Sequence, residues 1–154
     1  MKQATLCLLI KNNKVLLAMK KRGFGVGRWN GTGGKVKEGE EIVGAAIRET
    51  KEEIGVDIIN PEKVGLFHFT FQNKPEWNQD VTLFLAKEWI GEPIESEEMD
   101  PKWFSFDKIP YENMWSDDMY WIPQVLQGKK LEADFLFGQG DKLLSHDIKI
   151  VESL

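Results

Sequence analysis

The sequence predicts an α+β or α/β sandwich in which helices pack on a mixed β-sheet. Strand-like segments precede, separate and follow two helical segments, without the regular alternation of a doubly wound fold. Of the 154 residues 42% are hydrophobic, and a chain of this length buries roughly 68–70% of its unfolded surface. One domain over residues 1–154 is therefore expected. Cys7 is the only cysteine, so no internal disulfide supports the core.

The elements follow in order. Thr5 to Ile10 and Val15 to Met19 read as strands, and Asn12 and Asn13 between them tolerate the positive φ of a tight hairpin turn. Gly23 to Gly34 holds six of the 14 glycines and reads as a long loop whose backbone approaches something closely. Glu40 to Ile54 carries the clearest helical period, with Val43, Ile47, Thr50 and Ile54 on one stripe and Gly55 placed to end it. Thr50 is expected to pack its methyl and to bond its hydroxyl back to the helix.

Asn60–Pro61 breaks the chain, and Lys63 to Phe71 alternates with Phe67, Phe69 and Phe71 on one face. Asp80 to Trp89 and Lys102 to Phe106 read as further strands, with a turn or short helix at Asp107 to Pro110. A second helix runs from Asp117 or Asp118 to Gln127, with Pro123 expected in its first turn. Glu132 to Phe137 and Leu143 to Val151 flank a turn at Gly138–Asp141.

The charges, 20 basic against 25 acidic, give −5 and a field that opposes attraction to polymeric nucleic acid. Two histidines are too few for a histidine-built zinc centre. The sequence shows neither a secretory signal nor a membrane span, so a cytoplasmic monomer without membrane or nucleic-acid partners is expected.

Glu49, Glu52 and Glu53 stand at i, i+3 and i+4 on the long helix. Like charges at these spacings repel. One reading is a solvated acidic face; the other is a hard divalent cation, Mg²⁺ or Mn²⁺, on oxygen ligands. Arg48 flanks them on one side only, where an ordinary surface ion pair is the plain reading. Asp117 and Asp118 are either a helix cap or a pair of carboxyls sharing a proton in an apolar pocket. The glycine loop is no Walker motif, since Val36 follows Lys35 where Ser or Thr would stand.

Gly34, Glu40, Arg48, Glu49, Glu52, Glu53, Gly55 and Val56 match the box G-x5-E-x7-R-E-U-x-E-E-x-G-U, where U is aliphatic. Thr50 departs from it at the first U. The chain therefore resembles the Nudix hydrolase superfamily. Met19–Glu40, Glu95–Met99 and Met114–Pro123 extend the similarity to its oxidised-purine nucleoside triphosphatases, the 8-oxo-dGTP diphosphatases of the animal type.

The resemblance implies a Nudix fold, a mixed sheet sandwiched between helices. It implies Mg²⁺-dependent hydrolysis of an oxidised purine nucleoside triphosphate to monophosphate and pyrophosphate, sanitising the nucleotide pool. Alternatives are hydrolysis of another nucleoside diphosphate derivative, or nucleotide sensing without turnover. The implied metal ligands are Glu49, Glu52, Glu53, Glu98 and the Gly34 carbonyl. Glu53 activates water and Arg48 supports Glu52 or Glu53. Lys20 and the segment Thr32, Gly33, Gly34 and Lys35 face the phosphates, while Asn30, Trp115, Asp117 and Asp118 recognise the base. Phe24, Phe69 and Thr5 wall the same pocket.

Overall fold

A computed structural model describes residues 2–154. Strands β1 (Lys2–Lys11) and β2 (Lys14–Lys20) form the expected hairpin, with φ of 52° and 59° at Asn12 and Asn13. They pair only near the tip, from Leu9–Leu16 to Lys11–Lys14, and then diverge.

The glycine-rich segment enters that gap. Within it β3 (Trp29–Asn30) pairs with the end of β2, so the expected uninterrupted loop is corrected to a loop containing a short strand. Residues 32–36 then bond to β1: the N–H groups of Cys7 and Thr5 donate to the carbonyls of Thr32 (2.6 Å) and Gly34 (2.9 Å), and Val36 N–H donates to the Gln3 carbonyl (2.9 Å). At two positions of this wedge only glycine fits. A Cβ on Gly33 would stand 1.9 Å from the Thr5 carbonyl oxygen, and one on Gly31 2.6 Å from that of Cys7.

Helix α1 (Ile42–Ile54) begins two residues later than its sequence period suggests, because Glu40 is held in a tight turn. The Glu40 N–H donates to the Lys37 carbonyl (3.0 Å), and its Oε1 accepts the Lys37 N–H (3.0 Å). Gly55 ends α1 at φ 78°, its N–H donating to the Lys51 carbonyl. The apolar stripe, Val43, Ala46, Ile47 and Ile54, packs on Cys7, Leu9, Phe84 and Met99. Thr50 is buried in that stripe, but its Oγ1 lies 2.7 Å from Thr32 Oγ1, across to the wedge and not back to the helix.

β4 (Asp57–Ile59), which periodicity does not reveal, is followed by β5 (Glu62–Phe71). The single strand expected over Asp80–Trp89 is two: β6 (Gln79–Ala86) stays in the main sheet, and β7 (Glu88–Ile90) leaves it to pair with β4. β8 (Met99–Ser105) begins earlier than expected and runs antiparallel to β2.

Helix α2 (Asp118–Leu126) is followed by β9 (Lys130–Phe137) and β10 (Leu143–Val151). Pro123 lies inside α2, not in its first turn. The carbonyl it leaves without an N–H partner belongs to the exposed Met119, where water can serve.

The main sheet runs β10-β9-β5-β6-β1-β2-β3, with β8 on the other side of β2. Parallel pairs (β1–β6, β5–β9) alternate with antiparallel ones. α1 covers one core; on the other, Phe67, Leu131, Phe135 and Phe137 pack with Trp121 and Ile122 of α2. The expected mixed sheet between helices is thus observed. Among the described residues no helix is long and apolar enough to cross a membrane.

Candidate active site

The divergence of β1 from β2 sets the wedge Gly31–Lys35 beside the acidic edge of α1. A Cβ on Gly34 would lie 2.6 Å from Glu49 Cδ, so backbone and carboxylate are in direct approach. Glu53 is buried, and its Oε1 accepts the Gly33 N–H at 2.8 Å. Burial pushes its carboxyl up to about 7; Glu49 and Glu98 add to this, while the Gly33 hydrogen bond and Lys20 oppose it. Glu52 is more open, and Glu98 lies 3.5 Å from Arg22.

Of the two glutamates expected as its partner, Arg48 meets Glu52 and not Glu53, and its shorter bonds go elsewhere. Its Nε and Nη2 donate to Glu40 at 2.7 and 3.0 Å, Nη1 to Glu49 at 2.8 Å, and Nη2 also to the Lys35 carbonyl at 3.1 Å. The contact to Glu52 is longer, 3.4 Å. Arg48 holds the Glu40 carboxyl down to about 2, chiefly through that hydrogen bond. Its planar fork thus ties the helix, the turn before it and the wedge together.

Among the described residues no three His, Cys, Asp or Glu side chains are already gathered as a ligand set. The donors at this edge are carboxylates and a backbone carbonyl, and Glu53 lies within the fields of Glu49 and Glu98. Oxygen donors of this kind are the chemistry a hard divalent cation takes. The Gly34 carbonyl accepts the Thr5 N–H and keeps a second lone pair.

A cavity of about 520 Å³ lies on the α2 side of the sheet and reaches the wedge at Gly33, Gly34 and Lys35; Thr5, Lys20, Phe24, Asn30, Phe69, Trp115, Asp117 and Asp118 also line it, whereas Glu49, Glu52, Glu53 and Glu98 do not. Thr32 is not among the lining residues. Along the extended wedge its side chain faces α1, where it is buried against Thr50. Phe24 stacks on Trp115 (centroids 5.1 Å, 26°), and Trp77 meets Phe24 edge-on at 4.8 Å. Asn30 Oδ1 accepts the Gly31 N–H at 2.9 Å, which leaves its amide hydrogens as donors.

At the inner end Asp117 and Asp118 are both buried. Asp117 has helical φ/ψ and makes no side-chain capping bond, so the cap reading is corrected. Its Oδ2 instead accepts from Trp121 Nε1 at 2.8 Å. Asp118 Oδ2 and Thr5 Oγ1 are buried without a partner. Burial raises both carboxyls, and the Asp117 charge pushes Asp118 further. Sequence reasoning missed Trp121, although it stands four residues after Asp117, the spacing at which helical side chains meet. Met99, also lining, carries no sequence signal beyond apolarity, and Trp77 and Gln79 of the segment that departs from the family's more apolar one line the cavity too.

A mixed sheet between helices, with a glutamate-edged helix against a glycine wedge, defines the class. The NUDIX domain model matches residues 1–125, and the chain belongs to this family. It is 49% identical over 149 residues to the oxidized purine nucleoside triphosphate hydrolase of Mus musculus, covering 97% of this chain and 95% of that one. It is 46% identical to the protein of the same description from Danio rerio, covering 99% and 97%. Among solved structures it is similar to the MutT protein of Bacillus halodurans, with a TM-score of 0.86 and 29% identity over 97% of this chain and 98% of the other.

Proposed function

We propose that the chain hydrolyses oxidised purine nucleoside triphosphates of the 8-oxo-dGTP type to the monophosphate and pyrophosphate, with Mg²⁺ as cofactor and Mn²⁺ able to replace it. One cavity joins the glycine wedge, which lies against Glu49 and Glu53 of α1, to a buried carboxyl pair, and this observation carries the reading. The two vertebrate relatives, matched over nearly their whole length, support it.

Glu49, Glu52, Glu53 and Glu98 would hold the metal with the Gly34 carbonyl. When bound, a divalent cation offsets negative charge on phosphate oxygens. Lys20 and Lys35 add cations along the phosphate path. Glu53, one oxygen fixed by the Gly33 N–H, takes the proton of the attacking water. Arg48 keeps Glu49 and the wedge in place.

At the other end Asp117 and Asp118, with one proton between them, present an acceptor and a donor to the purine edge beside Asn30. Phe24 and Trp115 wall the base. The net charge of −5 opposes attraction to polymeric nucleic acid, and an anionic nucleotide is received locally by Lys20 and Lys35. We place the protein in the cytoplasm as a monomer.

The test is turnover of 8-oxo-dGTP against dGTP with Mg²⁺ and with Mn²⁺, following pyrophosphate. Pyrophosphate release with preference for the oxidised base is expected. Orthophosphate as first product, or tight nucleotide binding without turnover, overturns the reading.

A further inference from the structure

We infer that Arg28, anchored by Asp141, is a positioning residue that holds the Trp115 indole in place as a wall of the base pocket. The inference rests on the reading of Trp115 as that wall. Trp115 lies between β8 and α2, outside any strand, so side-chain contacts must set its ring plane. One is the Phe24 stack. Another is Arg28, whose guanidinium carbon sits 4.1 Å from the Trp115 ring centroid, within range of a cation–π interaction.

Arg28 is held at both ends. Its carbonyl accepts the Lys20 N–H at 3.1 Å, rooting it beside β2. Its Nη2 lies 3.2 Å from Asp141 Oδ2, and both side chains are partly shielded, 32% and 28% exposed. Asp141 closes the β9–β10 turn at φ 58°, a left-handed conformation that aspartate tolerates better than most residues. A turn 113 residues away in sequence therefore reaches back over the glycine loop.

The loop brings its own backbone against the indole. Gly23, Gly25 and Gly27 all have positive φ, and Gly25 approaches the indole so closely that a Cβ would stand 3.3 Å from Trp115 Nε1. Neither Arg28 nor Asp141 lines the cavity, so neither is placed to touch substrate. Their effect must pass through Trp115. The geometry thus gives the last hairpin, which lies beyond the residues matched by the family model, a share in base binding.

The experiment uses the full chain with Arg28→Gln, Asp141→Asn, the double variant, Arg28→Lys, and Trp115→Leu for comparison. It measures KM and kcat for 8-oxo-dGTP, and Ki for inorganic tripolyphosphate as a competitor that has no base. Arg28→Gln should raise KM about 3- to 30-fold, the scale of a partly desolvated cation–π contact. The kcat and the tripolyphosphate Ki should stay within about twofold, because the phosphate end is untouched.

Asp141→Asn should move KM the same way by less, and the double variant should match Arg28→Gln, since both act on one contact. Arg28→Lys, which keeps the cation, should recover most of the loss. If Arg28→Gln fails to fold, Asp141→Asn in the exposed turn carries the same test. An unchanged KM in Arg28→Gln and Asp141→Asn, while Trp115→Leu raises it, overturns the positioning role alone. An unchanged KM in Trp115→Leu overturns the wall reading and the inference with it. Equal losses for nucleotide and tripolyphosphate also overturn the inference, since they mark a general effect on the site.

Discussion

The Nε1–H of Trp121 donates at 2.8 Å to Oδ2 of Asp117, which precedes it by one helical turn, while Oδ2 of the adjacent Asp118 has no partner. The pair is thus asymmetric. Burial favours the neutral form of both; at Asp117 the Trp121 donor opposes it, and at Asp118 the neighbouring Asp117 charge adds to it.

That asymmetry fixes a pH dependence of stability. Unfolded, both carboxyls ionise near pH ~3.9. Folded, both are raised, so as pH climbs above about 4 the native chain retains protons that the unfolded chain has released. Stability therefore falls with rising pH until the folded carboxyls ionise, and then levels. Asp118→Asn removes the more strongly raised group. Its melting temperature in metal-free buffer should match the parent near pH 4 and exceed it by several degrees at pH 8, where about 1 kcal/mol corresponds to ~2–4 °C. Tyr111, raised by burial and by the Asp118 charge, titrates above this window and leaves the comparison clean. A lower melting temperature at pH 8 would mean that position 118 is satisfied as an anion.

Trp121→Phe tests the other half of the pair. Losing the indole donor leaves a buried carboxylate unpaired, at about 1–3 kcal/mol, and also removes volume. Only the first effect depends on ionisation. Urea unfolding at pH 5 and pH 8 should therefore show a larger destabilisation at pH 8; equal losses at both would assign the whole effect to volume.

The sequence made the main helix and most main-sheet strands legible because their apolar periods are long and each is bounded by Gly, Pro or Asn. β3, β4 and β7 escaped because two or three residues carry no period: each exists through its partner, β3 on β2, and β4 and β7 on one another. The acidic edge of α1 was legible from spacing alone. Three side-chain partners were not. Thr50 meets Thr32, Arg48 reaches back to Glu40 and Lys35, and Asp117 faces Trp121 in place of capping. The first two depend on where the glycine wedge lies, which only a long-range contact between residues 31–36 and β1 decides. The third depends on a helical backbone at Asp117 that turns its carboxyl inward.

The Arg48 fork should matter through its geometry more than its charge. Arg48→Lys keeps the cation but cannot serve Glu40, Glu49 and the Lys35 carbonyl together. Groups that orient metal ligands typically contribute 10–100-fold in metal affinity or activity. We expect the Mg²⁺ concentration for half-maximal turnover to rise by about that factor in Arg48→Lys, and by less in Glu40→Gln. The kcat at saturating Mg²⁺ should change little in either variant. A lowered kcat with an unchanged Mg²⁺ requirement would place Arg48 against substrate instead.

Glu53→Gln separates chemistry from architecture at the centre of the site. The substitution conserves shape, and the amide oxygen can still accept the Gly33 N–H that now reaches Oε1 at 2.8 Å. It removes the carboxylate we propose as the proton acceptor, so kcat at saturating Mg²⁺ should fall on the order of 10²–10⁴-fold. Stability should move the other way. In metal-free buffer at pH 8 the parent carries this carboxylate buried, near the charges of Glu49 and Glu98. The variant relieves both burdens, so its melting temperature should equal or exceed that of the parent. Turnover within tenfold of the parent would remove Glu53 from the water-activating role. A large loss of melting temperature together with lost turnover would make Glu53 a structural link between α1 and the wedge.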